Sequence, residues 1–116
     1  MESATYFWDY LEKLVDSSQL KVDRPKGTSH PRYPELIYPL DYGYLEGTLS
    51  ADGAGMDVWL GASGDRDLCG IILTVDLLKR DTEIKLLLGC TSEEIRMILH
   101  FHTSKYMGAF LVRRPG

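Results

Sequence analysis

The chain has 116 residues, of which 44% are hydrophobic and 26% are charged, and its formal net charge at pH 7 is -4. These values are typical of one soluble globular domain, so we expect a single compact domain over residues 1–116. The acidic balance argues against a nucleic acid partner, because binding a phosphate backbone requires a basic face. No apolar run approaches the roughly 20 residues that span a bilayer, so we expect no membrane segment.

Two further features favour the cytoplasm. The first residues, MESATYFWDYLEK, lack the basic start of a signal peptide and carry acidic residues among the apolar ones. Cys69 and Cys90 are only two and lie far apart, which is typical of reduced, buried thiols rather than of a disulfide framework or a zinc site. We therefore expect a cytoplasmic protein.

Residues 4–17 form the first predicted element, an amphipathic helix within an N-terminal segment 1–18. Apolar residues recur at helical spacing on one side, and charged residues occupy the other. The apolar side consists of Phe7, Tyr10, Leu11, Leu14 and Val15. We expect this helix to cover the rest of the domain and to place Phe7, Trp8 and Tyr10 against a second subunit, which makes a homo-oligomer.

A basic, extended segment follows the helix. Leu20–Arg24 alternates apolar and polar residues as a half-buried strand does, and four prolines between residues 25 and 39 then exclude a helix. Four basic residues face a single acidic one between residues 21 and 34, namely Lys21, Arg24, Lys26 and Arg32 against Asp23. This stretch is either a solvated basic loop or an anion-binding one.

The stretch from Tyr38 to Trp59 is acidic and contains no basic residue. It includes short predicted strands at 36–38, 42–45 and 56–60. Asp52 and Asp57 flank Gly53 and Gly55, and glycine permits the tight backbone turns that bring two carboxylates toward one point. The pattern predicts a metal cradle, with a solvated turn as the alternative.

The remaining elements complete a unit 20–90 and a C-terminal part 91–116. Two apolar runs at 69–78 and 83–88 predict a β-hairpin, in which Glu83 and Lys85 share one strand face. Thr91 followed by Glu94 is a capping-box signature for a helix through about residue 102. His102 continues the apolar stripe of that helix, where a histidine is usually a packed core or edge residue. Residues 106–112 form a last predicted strand.

Three motifs together resemble the signature of soluble family I inorganic pyrophosphatases. They are the run YPLDYGY at 38–44 with GTLS at 47–50, the loop DGAGMDV at 52–58, and the preceding VDRPKG at 22–27. We expect a mainly β (α+β) fold, and the resemblance implies a small, closed or partly closed antiparallel β-barrel of five to six strands, similar to the oligonucleotide/oligosaccharide-binding fold, with the two helices packed outside. It also implies hydrolysis of pyrophosphate, or of a related phosphoanhydride, with Mg²⁺ as cofactor.

The resemblance assigns roles to individual residues. Asp52 and Asp57 match the ends of the family's metal-binding loop, and Glu83 and Lys85 resemble its later pair of metal ligand and phosphate-binding lysine. Tyr42 matches a phosphate-contacting tyrosine. The implied sites are catalytic Asp57, Tyr42 and Lys85, the metal ligands Asp52, Asp57 and Glu83, and phosphate contacts at Arg24, Lys26, Arg32, Tyr42 and Lys85.

Two departures from the family pattern leave the activity open. Ala54 stands where the family has the middle aspartate of the loop, which helps to deprotonate the attacking water, and a methyl group cannot accept a proton. The chain is also shorter than is usual in the family. The protein is therefore either a pyrophosphatase of reduced activity, using another base such as Asp41 or Asp65, or a non-catalytic module that binds an anion or a partner.

Overall fold

The structure, a computed structural model, describes residues 4–116. Its elements, in chain order, are α1 (Ala4–Ser17), β1 (Leu20–Arg24), β2 (Asp41–Leu45), β3 (Met56–Leu60), β4 (Leu68–Asp76), β5 (Asp81–Leu88), α2 (Ser92–Phe101) and β6 (Met107–Arg113). Most predicted elements are confirmed within a few residues. The short strand expected at 36–38 is reduced to an isolated bridge between Ser29 and Ile37. Residues 1–3 of the predicted N-terminal segment lie outside the described residues.

The strands form one six-stranded mixed sheet in the order β1-β2-β3-β5-β4-β6. The predicted antiparallel barrel is not confirmed, because β1 and β6 are the two edges of an open sheet and β3 pairs with β5 in parallel. The coarser prediction, a mainly β protein with two helices, is confirmed. Within the hairpin, β5 rather than β4 joins β3, which places the continuously buried run Lys85–Leu88 at the centre of the sheet.

Each face of the sheet is covered by one helix. On one face, Trp8, Leu11 and Val15 of α1 pack against strand residues that include Val58 and Leu86. On the other face, Ile95 and Ile98 of α2 belong to a cluster with Tyr38, Leu40, Trp59, Ile72 and Leu87. Because strand side chains alternate between faces, the even and odd positions of β5 serve different clusters.

The capping box at the start of α2 is present in full. The Thr91 hydroxyl accepts a hydrogen bond from the Glu94 backbone N–H at 3.1 Å, and the Glu94 carboxylate accepts one from the Thr91 N–H at 2.9 Å. Glu94 also accepts from the backbone N–H of Ala62, which ties the helix to the loop after β3. The start of α2 is therefore fixed relative to the sheet.

The aromatic side chains of α1 divide between the core and the surface. Trp8 is buried in the chain's own core, whereas Phe7 and Tyr10 are 42% and 58% exposed. The expectation that Trp8 contacts a second subunit is therefore wrong, because this side chain packs inside its own chain. A homo-oligomer through Phe7 and Tyr10 stays a prediction. Cys69 and Cys90 are free thiols, both half-buried. Within residues 4–116, neither helix has the length and apolar character needed to cross a membrane.

Candidate active site

A buried lysine lies at the centre of the candidate site. The ammonium of Lys85 donates hydrogen bonds to the Tyr42 hydroxyl at 2.7 Å, to Glu83 Oε1 at 2.7 Å and to Asp57 Oδ2 at 3.0 Å. An ammonium has three donor protons, so these contacts satisfy it completely. Lys85 is 5% exposed, and it is one of the few polar residues buried in the described chain.

The surroundings of Lys85 keep it charged. Burial alone lowers the pKa of a lysine, but the attraction of Tyr42, Asp57 and Glu83 outweighs burial and raises the pKa of Lys85 above its usual value. Burial raises the pKa of Tyr42 as well, so its hydroxyl stays protonated at neutral pH. Since that hydroxyl accepts from Lys85, its own proton is directed toward an anionic oxygen, and a hydrogen bond to Asp57 is one of the causes that raise the Tyr42 pKa.

Three adjacent strands bring these four side chains together. Tyr42 lies on β2, Asp57 on β3 and the pair Glu83 and Lys85 on β5. Asp57 and Lys85 are direct partners in the parallel β3–β5 register, and Glu83 is two residues from Lys85 on the same face. The Tyr42 ring packs on Trp59 with centroids 4.7 Å apart, which holds the hydroxyl in place.

The four side chains lie in an open pocket of about 850 Å³. Its walls come from three connecting segments, residues 30–38 between β1 and β2, residues 76–81 in the hairpin turn, and residues 101–107 between α2 and β6. The predicted residues that line the pocket are Arg32, Tyr42, Asp57, Glu83 and Lys85. The structure thus brings together five of the eight predicted site residues.

Asp52 is not among the residues that line the pocket. Its carboxylate accepts hydrogen bonds from the Ser50 hydroxyl at 2.5 Å and from the Ala54 backbone N–H at 3.0 Å. These bonds lower the pKa of Asp52, the Ser50 bond most. In this conformation the carboxylate closes its own turn, and Ala54, next to it, is exposed.

The two basic residues nearest to β1 also lie outside the pocket lining. The Lys26 backbone N–H donates to Asp41 Oδ1 at 2.8 Å, and Arg24 pairs across the β1–β2 ladder with Tyr42. Arg24 is nevertheless close to His30, which lines the pocket. Burial is the main cause that lowers the pKa of His30, and the positive charge of Arg24 is the next. Arg32 stands on the wall itself.

Neither alternative base from the sequence faces the pocket. Asp41 accepts the Lys26 N–H, and Asp65 Oδ1 accepts the Asp67 N–H at 2.9 Å in the loop after β3. Both carboxylates therefore stabilise loops, and neither lines the pocket that contains Lys85.

His102 lines the pocket, and the sequence pattern predicted only a packed core or edge residue there. It is 6% exposed, and its Nε2 accepts a hydrogen bond from the Trp59 indole N–H at 3.1 Å. Burial, and then the charge of Lys85, lower the pKa of His102 to about 3. The ring is thus neutral at physiological pH with its proton on Nδ1. The apolar stripe of α2 placed His102 inward, but its partner is 43 residues earlier in the chain.

Three hairpin residues are further pocket residues without a predicted role. Thr74 is buried and pairs with Glu83 across the hairpin, and Asp76 pairs with Asp81. All three line the pocket. The alternation of side chains along the predicted hairpin could have located these three residues, because even positions of β4 share a face with odd positions of β5, where Glu83 and Lys85 lie.

The donor set fits a magnesium ion only in a restricted way. In the described residues no group of three or more His, Cys, Asp or Glu side chains is arranged to hold a metal. Asp57 and Glu83 each contact Lys85 through one oxygen, and the second oxygen of Glu83 lies 3.7 Å from the exposed Lys79 ammonium, which a magnesium ion would have to displace. Mg²⁺ commonly takes one or two carboxylates and completes its shell with water and substrate phosphate. Asp57 and Glu83 fit that pattern without Asp52.

Comparison with solved structures supports the resemblance seen in the sequence. An inorganic phosphatase from Anaplasma phagocytophilum is 15% identical to this chain, with 81% of each chain covered and a TM-score of 0.58. An inorganic pyrophosphatase from Neisseria gonorrhoeae is 18% identical, again with 81% of each chain covered, and has a TM-score of 0.55. This chain has a pyrophosphatase-like fold. At these identities the likeness concerns the fold alone, and no family model and no curated protein sequence matches the chain significantly.

Proposed function

We propose that this protein hydrolyses inorganic pyrophosphate, or a related phosphoanhydride, in the cytoplasm and with Mg²⁺ as cofactor. The observation that carries the proposal is the buried, charged Lys85 held by Tyr42, Asp57 and Glu83 at the base of an open pocket. Such a group of fixed cation and carboxylates on a pyrophosphatase-like fold is suited to a metal-bound phosphate.

Lys85 and Tyr42 are the proposed phosphate contacts at the base of the pocket. A charged ammonium and a neutral phenol both donate to phosphoryl oxygens, and fixed donors of this kind stabilise charge that develops in a transition state. A phosphoryl oxygen would replace one of the three present acceptors of Lys85, and the remaining two would keep the ammonium in place. Arg32 adds positive charge at the wall, and Arg24 and Lys26 are proposed to contribute from the adjoining segment.

Asp57 and Glu83 are the proposed magnesium ligands, and Asp52 is a third if its turn opens toward the pocket. A bound Mg²⁺ would neutralise phosphate charge and lower the pKa of a water molecule. The ligands that the protein would supply are the two carboxylate oxygens, one of Asp57 and one of Glu83, that do not contact Lys85. That pair lies beside the donors that would orient the phosphate.

We expect the reaction to be slow. General-base assistance is typically worth about 10²- to 10⁴-fold in rate. Ala54 cannot provide it, and Asp41 and Asp65 are committed to loop hydrogen bonds outside the pocket lining. Asp57, which does line the pocket, is the proposed catalytic carboxylate.

Phosphate release from pyrophosphate in the presence of Mg²⁺ tests the proposal. Wild type should release phosphate faster than Asp57→Asn, and Asp16→Asn should match wild type. Asp16 is an exposed carboxylate on α1, so it controls for the same chemical change outside the site. No release above the Asp57→Asn level would count against hydrolysis.

A non-catalytic binding module is the second candidate. It is favoured by Ala54 and by the use of the Asp52 carboxylate within its own turn. Calorimetry with pyrophosphate and Mg²⁺ separates the two functions, because a module binds pyrophosphate and returns it unchanged. Binding without turnover would support the module, and turnover would exclude it.

A further inference from the structure

The charged cluster around Lys85 occupies only part of its pocket. The volume of about 850 Å³ lies within the range of roughly 300–1,000 Å³ that is typical of sites for drug-sized organic ligands. A small inorganic anion bound at Lys85 would contact the base of the pocket and leave most of its walls without a partner. The character of those walls therefore indicates what else the pocket can hold.

Each of the three wall segments presents a large apolar side chain. Tyr33 is 41% exposed, Leu78 is 63% exposed and Tyr106 is 43% exposed, and all three line the pocket. Aromatic surface left open inside a pocket is available for stacking with a ligand. The charged and the aromatic parts of the pocket thus suit two different parts of one ligand.

Of the two exposed tyrosines in the pocket, Tyr33 is held in position before a ligand binds. The Tyr33 ring packs beside His30 with centroids 5.2 Å apart, and the Tyr33 backbone N–H donates to His30 Nδ1 at 3.3 Å. The Arg32 N–H donates to the same nitrogen at 3.0 Å. The ring of His30 in turn lies parallel to that of the buried Tyr38, with centroids 6.1 Å apart. These contacts join the 30–38 wall to the core.

We propose that the pocket binds phosphoanhydrides that carry a planar organic group, with nucleoside diphosphates as the simplest class. The inference rests on the proposed function for the phosphate end, which meets Lys85 and Tyr42. The planar group stacks on the tyrosines of the wall, and stacking of this kind accepts any base because every base has an aromatic face. In hydrolysis, the oxygen of water bonds to the terminal phosphorus as the P–O–P bond breaks. The products are a nucleoside monophosphate, phosphate and a proton.

Calorimetry in the presence of Mg²⁺ tests this inference with three probes: ADP, pyrophosphate and geranyl diphosphate. Loss of one base-stacking ring typically weakens binding by about fivefold or more. Tyr33→Ala should therefore weaken ADP binding at least about fivefold and leave pyrophosphate binding within about twofold, whereas Tyr33→Phe should retain ADP affinity. Tyr10→Ala removes a tyrosine on α1 that is 58% exposed and lies outside the pocket lining, and it should change neither affinity. Circular dichroism checks that each variant is folded.

The outcomes separate the inference from the proposed function. If pyrophosphate binds and ADP does not, or if Tyr33→Ala affects both equally, the inference is overturned and the proposed function stands. Tighter binding of geranyl diphosphate than of ADP would overturn the inference, because it would show that the pocket walls favour an aliphatic group over a planar one. If neither pyrophosphate nor ADP binds, both the inference and the proposed function fail.

Discussion

The buried histidine of the pocket makes stability depend on pH in a way that one substitution can isolate. His102 accepts the Trp59 indole N–H through Nε2, and burial with the Lys85 charge lowers its pKa from 6.5 to about 3. Below about pH 6.5 the unfolded chain binds a proton that the folded chain does not, so the free energy of unfolding falls as the pH falls. Each pH unit costs about 1.4 kcal/mol in this window, or about 3 kcal/mol between pH 6.5 and about pH 4.5.

The variant His102→Gln keeps an oxygen that can accept the Trp59 N–H but does not titrate in this range. Urea denaturation followed by circular dichroism at about pH 8 and about pH 4.5 gives the free energy of unfolding of both proteins. Wild type should lose about 3 kcal/mol more than His102→Gln between the two conditions. All other titratable groups are the same in both proteins, so their contributions cancel in the comparison. Equal losses would show that His102 is not held neutral by its surroundings.

Three further predictions concern the site and the fold. Lys85→Met should lower phosphate release from pyrophosphate about 100-fold or more, since one preorganised donor is typically worth that much; unchanged kcat/KM would exclude Lys85 from the site. Asp57→Asn should raise the Mg²⁺ concentration at half-maximal phosphate release by at least about tenfold, and Asp52→Asn should raise it by less, because, of these two residues, Asp57 alone lines the pocket. Equal effects in a magnesium titration would place Asp52 in the working site. Thr91→Ala should lower the free energy of unfolding by about 1 kcal/mol through loss of the cap at α2, measured in urea; no change would mean that the cap adds nothing in this context.

The parts of the site that depend on local patterns were predicted from the sequence. Alternation along a strand put Glu83 and Lys85 on one face, and both line the pocket. The capping box located α2 in the same way, because the pairing of Thr91 with Glu94 needs only their spacing. Such predictions succeed because the interacting residues are within a few positions of each other.

The parts that depend on distant pairing were not predicted. The contact between Asp57 and Lys85 requires β5 to add to β3 in parallel, and both strands of the hairpin are apolar enough to occupy that position. The role of His102 depends on Trp59 in another strand. In the acidic loop, by contrast, a local pattern did not predict the observed contacts. The spacing of its aspartates predicted a metal cradle, but hydrogen bonds from Ser50 and Ala54 hold the Asp52 carboxylate in the turn.

Phosphorus NMR of pyrophosphate provides the most direct test of the central claim that the cluster at Lys85 is a phosphoanhydride site. In the presence of Mg²⁺, wild type should convert the pyrophosphate signal into that of phosphate, and Asp16→Asn should do so at the same rate. Lys85→Met, once shown to be folded, should leave the pyrophosphate signal in place over the same period. Conversion by Lys85→Met at the wild-type rate would contradict the account.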